Sequence, residues 1–259
     1  MSESAPDRTP IIAGNWKMNP ENFGLAIDLA GDLANSPAGK VTDREVILFP
    51  PSPYLTEVEF QLMKADSTIQ LGGQNLHQEK GGAHTGEISG SMLKSMACSH
   101  VLAGHSERRE AGETDEVVCA KVRAALDVAL KPILCVGEKL EQRKSGDAES
   151  VVGSQIEAGL NGVSNKEMED LVVAYEPVWA IGTGETASSG DANAMCEHIR
   201  GLVADLFDQE VADSLRILYG GSVKPSSVDE LMAQEHVDGA LVGGAALDAK
   251  SFERIVMFE

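Results

Sequence analysis

Residues 172–187 read VVAYEPVWAIGTGETA. The opening residues, with Leu171 before them, are apolar without alternation, the pattern of a strand covered on both faces, as in a parallel sheet. Glu176 ends the run, and Pro177 biases the residue before it toward extended backbone, so the carboxylate closes a strand instead of opening a helix. Seven other runs share this character: IIAGN, EVILFP, TIQLGGQN, HVLAGH, PILCVG, RILYGG and DGALVGG. Between them lie apolar residues at spacings of three and four, such as Phe23, Ile27, Ala30 and Ala34, then Val118, Val122, Ala125 and Ala129, then Met195, Ile199, Leu202 and Leu206. Eight strand-helix units and little else predict an α/β fold with a closed eight-stranded parallel (β/α)8 barrel, an open doubly wound sheet being the alternative.

The chain has 259 residues, 42% of them hydrophobic, enough to bury one core of this size. No linker or repeat divides it, so residues 10–259 are expected to form a single barrel domain. Residues 1–9 are expected to be a short disordered tail. That tail is polar and lacks an apolar stretch, and nowhere do 18 apolar residues follow one another, which points to a cytoplasmic location with no membrane partner. The formal charge of −20 speaks against nucleic acid or an anionic surface as partner. Cys98, Cys119, Cys135 and Cys196 are scattered, with no metal-ligand spacing, so reduced thiols and no metal are expected.

The ends of the strand runs carry the chemistry. Asn15 and Lys17 stand two apart in AGNWKMN, and continuation of the strand would point both the same way. Gln74 and Asn75 end the third run, His105 the fourth and Glu176 the sixth. The seventh ends in Gly220, Gly221 and Ser222 and the eighth in Gly243 and Gly244. Each has a bland explanation alone: a satisfied histidine at a turn, a solvated lysine, a glycine turn. In a closed barrel, however, the strands' C-terminal ends share one mouth, where active sites of such barrels lie.

In order along the chain, AGNWKMN, GGQNLH, GAHTGEIS, GHSERR, AYEPVWAIGTGETAS, ILYGGSV and DGALVGGAAL resemble the signature motifs of the triosephosphate isomerase family, from about Pro10 to the C-terminus. The resemblance implies a TIM barrel that interconverts dihydroxyacetone phosphate and D-glyceraldehyde 3-phosphate through an enediolate, with no cofactor. It implies Glu176 as general base, His105 as electrophile, and Lys17 and Asn15 as catalytic and substrate-binding groups. Gly182, Ser222, Gly243 and Gly244 would grip the phosphate, and Glu107 would orient Lys17. As is established for that family, His105 would act as a neutral imidazole at a helix N-terminus. The glycines at 182 and 184 would let a lid close over the site, again a family property. A homodimer is implied, made through the loop around Thr85.

Two residues depart from the family's commonest pattern: Glu185 where lysine is frequent, and His84 where phenylalanine is frequent. The second falls in the dimer loop, where a smaller, titratable ring bears on the strength of association. Two other functions remain open at this point. One is a catalytically silent barrel that binds phosphorylated ligands, against which the intact set Asn15, Lys17, His105 and Glu176 speaks. The other is an aldol or amino-sugar enzyme, against which the missing lysine in the sixth strand run speaks.

Overall fold

The computed structural model describes residues 8–181 and 187–259. Eight strands, β1 (Ile11–Asn15), β2 (Glu45–Phe49), β3 (Gln70–Gly73), β4 (Cys98–Ala103), β5 (Lys131–Val136), β6 (Val172–Tyr175), β7 (Arg216–Tyr219) and β8 (Gly239–Val242), pair in sequence order. All pairs are parallel, and β8 returns to β1 with Ile12 opposite Ala240. The sheet is a closed barrel, which removes the open-sheet alternative.

The unalternating strand runs are explained by two separate cores. Ile11, Ala13, Ile47, Phe49, Leu102, Ile133, Cys135, Val172, Ala174, Leu218 and Leu241 form one buried cluster, which fills the barrel. Their strand neighbours, including Ile12, Leu48, Val101, Leu134, Val173, Ile217 and Ala240, belong to a second cluster shared with the surrounding helices. Apart from the half-buried Glu45, Gln70, Ser99, Lys131 and Arg216 at the strand starts, every strand residue is therefore withdrawn from water, at about 25 cal/mol for each Å² of apolar surface. Parallel neighbours need long crossovers, and the helices that supply them cover the outer face.

The helical stripes hold in their middles and fail at their ends. In helix Phe23–Asn35 the buried face is Ala26, Leu29, Ala30, Leu33 and Ala34. Phe23 is 49% exposed and leans toward Tyr54 instead. Val118, Val122 and Ala125 are buried in helix Asp115–Leu126, whereas Ala129 lies past its end in the left-handed region, φ 56°. Met195 and Ile199 are buried in helix Ser189–Leu206, but its last residue, Leu206, is 45% exposed. A residue at a helix end has no neighbouring turn to hold it on the sheet. At the other end of the barrel, Arg8 bonds the Asp238 carboxylate at 2.5 Å and the Glu235 carbonyl at 2.8 Å, which ties the chain just before β1 to the strand bottoms.

The strand bottoms also bury a polar cluster. His100 of β4 is fully buried, its Nδ1 2.8 Å from the Ser99 hydroxyl and its Nε2 without a hydrogen-bond partner. Glu45 lies 4.0 Å from that Nε2 and pairs with Arg216. Burial holds the imidazole neutral and depresses its pKa to about 4, outweighing Glu45, while Lys131, Arg216 and Lys94 add to the depression. In the unfolded chain the same ring takes its proton near pH 6.5. Between those values the unfolded state binds more protons, so stability is full above pH 6.5 and is lost as pH falls toward 4. The loss expected from this one group is about 3 kcal/mol. Urea unfolding of the wild type and His100→Phe across that range should give a flatter profile for the variant; parallel profiles would refute the assignment.

Candidate active site

The C-terminal ends of the strands open on a cavity of about 340 Å³ lined by Asn15, Lys17, His105, Glu176, Ser222, Gly243 and Gly244, together with Ile181 and Lys224 among others. The structure thus brings together most of the residues singled out from the strand ends, while Gln74 and Asn75 line an adjoining cavity that shares Asn15, Lys17 and His105. Gly182, assigned to the phosphate grip, and Glu185 lie outside the described residues.

Asn15 is the last residue of β1, and Lys17 is already off the strand. Its φ is 54°, a left-handed conformation that costs a non-glycine residue energy, so strand alternation is not what aims it. Three hydrogen bonds offset the cost. The Asn15 Oδ1 accepts the Lys17 N–H at 2.9 Å, and the Gln74 amide donates to the carbonyls of Lys17 at 2.7 Å and Phe49 at 2.8 Å. Gln74, read from sequence only as a strand-end residue, is therefore a positioning residue. The ammonium of Lys17 lies 2.7 Å from Glu107 Oε1, the contact expected of an orienting carboxylate.

His105 caps helix Ser106–Glu110, its Nδ1 accepting the Glu107 N–H at 3.2 Å. A backbone amide can only donate, so Nδ1 is bare and the ring's proton sits on Nε2. That Nε2 is 3.1 Å from Glu176 Oε1. The imidazole is thus a neutral donor aimed at the carboxylate.

Glu176 follows β6 directly. Its N–H donates to Val136 at 2.7 Å, and its Oε2 accepts the Ser106 N–H at 2.9 Å. Glu176 and His105 are buried, with 2% and 5% of their surface exposed. Room for the acid is made by two glycines that sequence reading did not connect with it. A Cβ on Gly137 would sit 1.7 Å from the Glu176 carbonyl oxygen, and one on Gly220 would sit 2.8 Å from Glu176 Cγ. Behind the acid, the Cys135 thiol is pushed well up by complete burial and by the Glu176 charge, so it stays protonated and unreactive.

The chain leaving Glu176 is anchored by another residue the sequence did not flag. Glu138, wholly buried, accepts from the Tyr175 hydroxyl at 3.1 Å and from Trp179 Nε1 at 2.8 Å. Arg143 lies 3.6 Å from that carboxylate and stacks on the Trp179 ring at 4.6 Å. Only the adjacency of β5 and β6 makes this set visible, because 41 residues separate Glu138 from Trp179.

Across the cavity the wall is backbone. A Cβ on Gly243 would lie 3.4 Å from Lys17 Cε, whereas one on Gly244 would meet nothing within 4 Å, so residue 244 borders open space. Bare peptide groups beside a lysine suit an oxyanion such as a phosphate, which needs donors that approach closely. Among the described residues no group of three or more His, Cys, Asp and Glu could hold a metal ion, and no helix is long and apolar enough to cross a membrane.

A parallel barrel whose mouth holds a buried acid, a neutral imidazole facing it, a lysine and a glycine-lined wall defines a class: enzymes that move protons on small phosphorylated substrates. Within that class the match is specific. The family model for triosephosphate isomerase covers residues 10–259. The triosephosphate isomerase of Herpetosiphon aurantiacus is 51% identical over 257 residues, 97% of this chain and 100% of that one. That of Chloroflexus aurantiacus is 50% identical over 253 residues, with coverage of 97% and 100%. The chain belongs to the triosephosphate isomerase family.

Proposed function

We propose that this protein interconverts dihydroxyacetone phosphate and D-glyceraldehyde 3-phosphate, with Glu176 as base and His105 as proton donor to the carbonyl oxygen. The observation that carries the reading is the 3.1 Å contact between Glu176 Oε1 and His105 Nε2 on one cavity wall. A three-carbon substrate entering between them would exchange that contact for two productive ones. The carboxylate would take a proton from one carbon, and Nε2–H would stabilise charge developing on the neighbouring oxygen. Lys17 would add a fixed positive charge to the same oxygen and to the phosphate, with Asn15 holding its backbone and Glu107 its ammonium. Ser222, Gly243 and Gly244 would receive the phosphate, with Gly182 as a further donor. The carboxylate would then return the proton to the adjacent carbon while His105 recovers its own from the substrate's hydroxyl, whose oxygen becomes the new carbonyl, so both groups are regenerated and no cofactor is consumed.

A coupled assay tests this directly: purified protein given glyceraldehyde 3-phosphate should form dihydroxyacetone phosphate with nothing else added. Phosphate binding without turnover would favour the silent barrel. Condensation products would favour aldol chemistry, although β6 offers no lysine.

We further propose a single barrel domain acting as a homodimer in the cytoplasm, the net charge of −20 disfavouring nucleic acid and anionic membranes. The loop around Thr85 supports the dimer reading. Residues 81–87 are all exposed, and the His84 ring stacks on His77 at 4.1 Å instead of covering the barrel. Analytical ultracentrifugation should find the mass of two chains; a monomer at micromolar concentration would exclude it.

A further inference from the structure

The charges already named around the cavity leave one carboxylate in excess. Lys17 is paired with Glu107, Glu176 adds a second carboxylate, and His105 is neutral by its hydrogen bonds. The whole chain carries −20, so a phosphate dianion approaching from solvent meets repulsion that these four groups do not offset.

Lys224 changes that sum. It lines the same cavity, two residues beyond Ser222, and is exposed. Among the described residues no carboxylate lies within 4.0 Å of its ammonium. Its backbone, by contrast, is fixed. The Lys224 N–H donates to Ser227 Oγ at 3.3 Å, and its carbonyl accepts the N–H groups of Ser227 at 3.0 Å and Val228 at 3.1 Å. An anchored backbone, and an ammonium with no carboxylate partner among the described residues, place a cation at the rim of the cavity.

We infer that Lys224 is a substrate-recruiting residue, a rim cation that draws doubly charged phosphate esters into the cavity and takes no part in the proton transfer. The inference rests on the isomerase reading for its kinetic consequence but not for its binding consequence. A unit charge and a dianion some 8 Å apart in water attract enough to change capture by about 5-fold. Because the site is at the rim, salt should erase the effect, the screening length being about 8 Å at 0.15 M and shorter above it.

The experiment compares wild type with Lys224→Gln, Lys224→Glu and Lys224→Arg in sodium chloride from about 10 mM to about 0.5 M. At low salt, Lys224→Gln should lower kcat/KM about 5-fold and Lys224→Glu by about the square of that, with kcat unchanged and Lys224→Arg close to wild type. At high salt the four curves should converge. Titration of inorganic phosphate by calorimetry should show the same order of affinities at low salt. Equal kcat/KM and equal phosphate affinity for wild type and Lys224→Gln at low salt would overturn the inference. So would a deficit that persists at high salt and appears in kcat, which marks a structural role. If wild type forms no dihydroxyacetone phosphate, the isomerase reading falls, and the phosphate titration still decides the role of Lys224.

Discussion

Glu176→Gln is expected to lower kcat by about 10²- to 10⁴-fold while the protein stays folded, the range that a positioned general base contributes. The substitution keeps volume and one oxygen, so the Ser106 N–H that bonds Oε2 at 2.9 Å retains an acceptor and the burial of residue 176 is undisturbed. What is lost is the ability to accept a proton from carbon. Glu176→Asp separates basicity from position. The carboxylate remains, but the shorter side chain withdraws it by about 1 Å, and a displacement of that size costs roughly 100-fold. Gly137 and Gly220 are packed so closely around residue 176 that the backbone has little freedom to follow. The coupled assay gives kcat, and thermal unfolding of each variant checks the fold. Turnover near wild type in Glu176→Gln would remove Glu176 as the base, and in Glu176→Asp would show that its placement is not critical.

The parts of this site that were legible in sequence are those carried by a single strand end. Glu176 could be read because an unalternating apolar run stops at it and Pro177 biases it toward the extended backbone that ends a strand. His105 and the glycine pairs at 220–221 and 243–244 sit at the ends of similar runs, and barrel closure gathers them without further help. Residues whose roles depend on contacts between strands were not legible. Lys17 was expected to continue the strand, but its direction comes from a left-handed turn held partly by Gln74, 57 residues away. Glu138 looks like one more surface acid until β5 and β6 lie side by side and its carboxylate receives Tyr175 and Trp179. Phe23 fits a helical stripe on paper, yet the first residue of a helix is free to turn toward Tyr54. Local pattern decides which residues reach the mouth; packing decides how each is aimed.

Lys17→Met is expected to lower kcat by about 10²- to 10³-fold, the cost of removing one preorganised partner of a developing oxyanion, and to weaken substrate binding as well. The size of the effect follows from what the substitution leaves behind. Methionine retains much of the apolar stem, so the cavity wall beside Gly243 stays filled. The turn itself depends on backbone bonds to Asn15 and Gln74 that a methionine at 17 can still make. Only the charge disappears, and its loss strands Glu107, whose Oε1 lay 2.7 Å from the ammonium. Glu107 and Glu176 then face the incoming dianion, with Lys224 the remaining cation among the described residues that line the cavity of Glu176. Salt distinguishes the two lysines. A deficit at Lys224 should fade as screening shortens, because its interaction with substrate runs through water. A deficit at Lys17 should persist in kcat at any ionic strength, because direct contact with the reacting oxygen is far shorter than the screening length. Steady-state kinetics of Lys17→Met at low and high sodium chloride decide it. Recovery of kcat in high salt would mean that Lys17 acts by long-range attraction alone, and the stabilisation of the oxyanion would have to be assigned to His105 by itself.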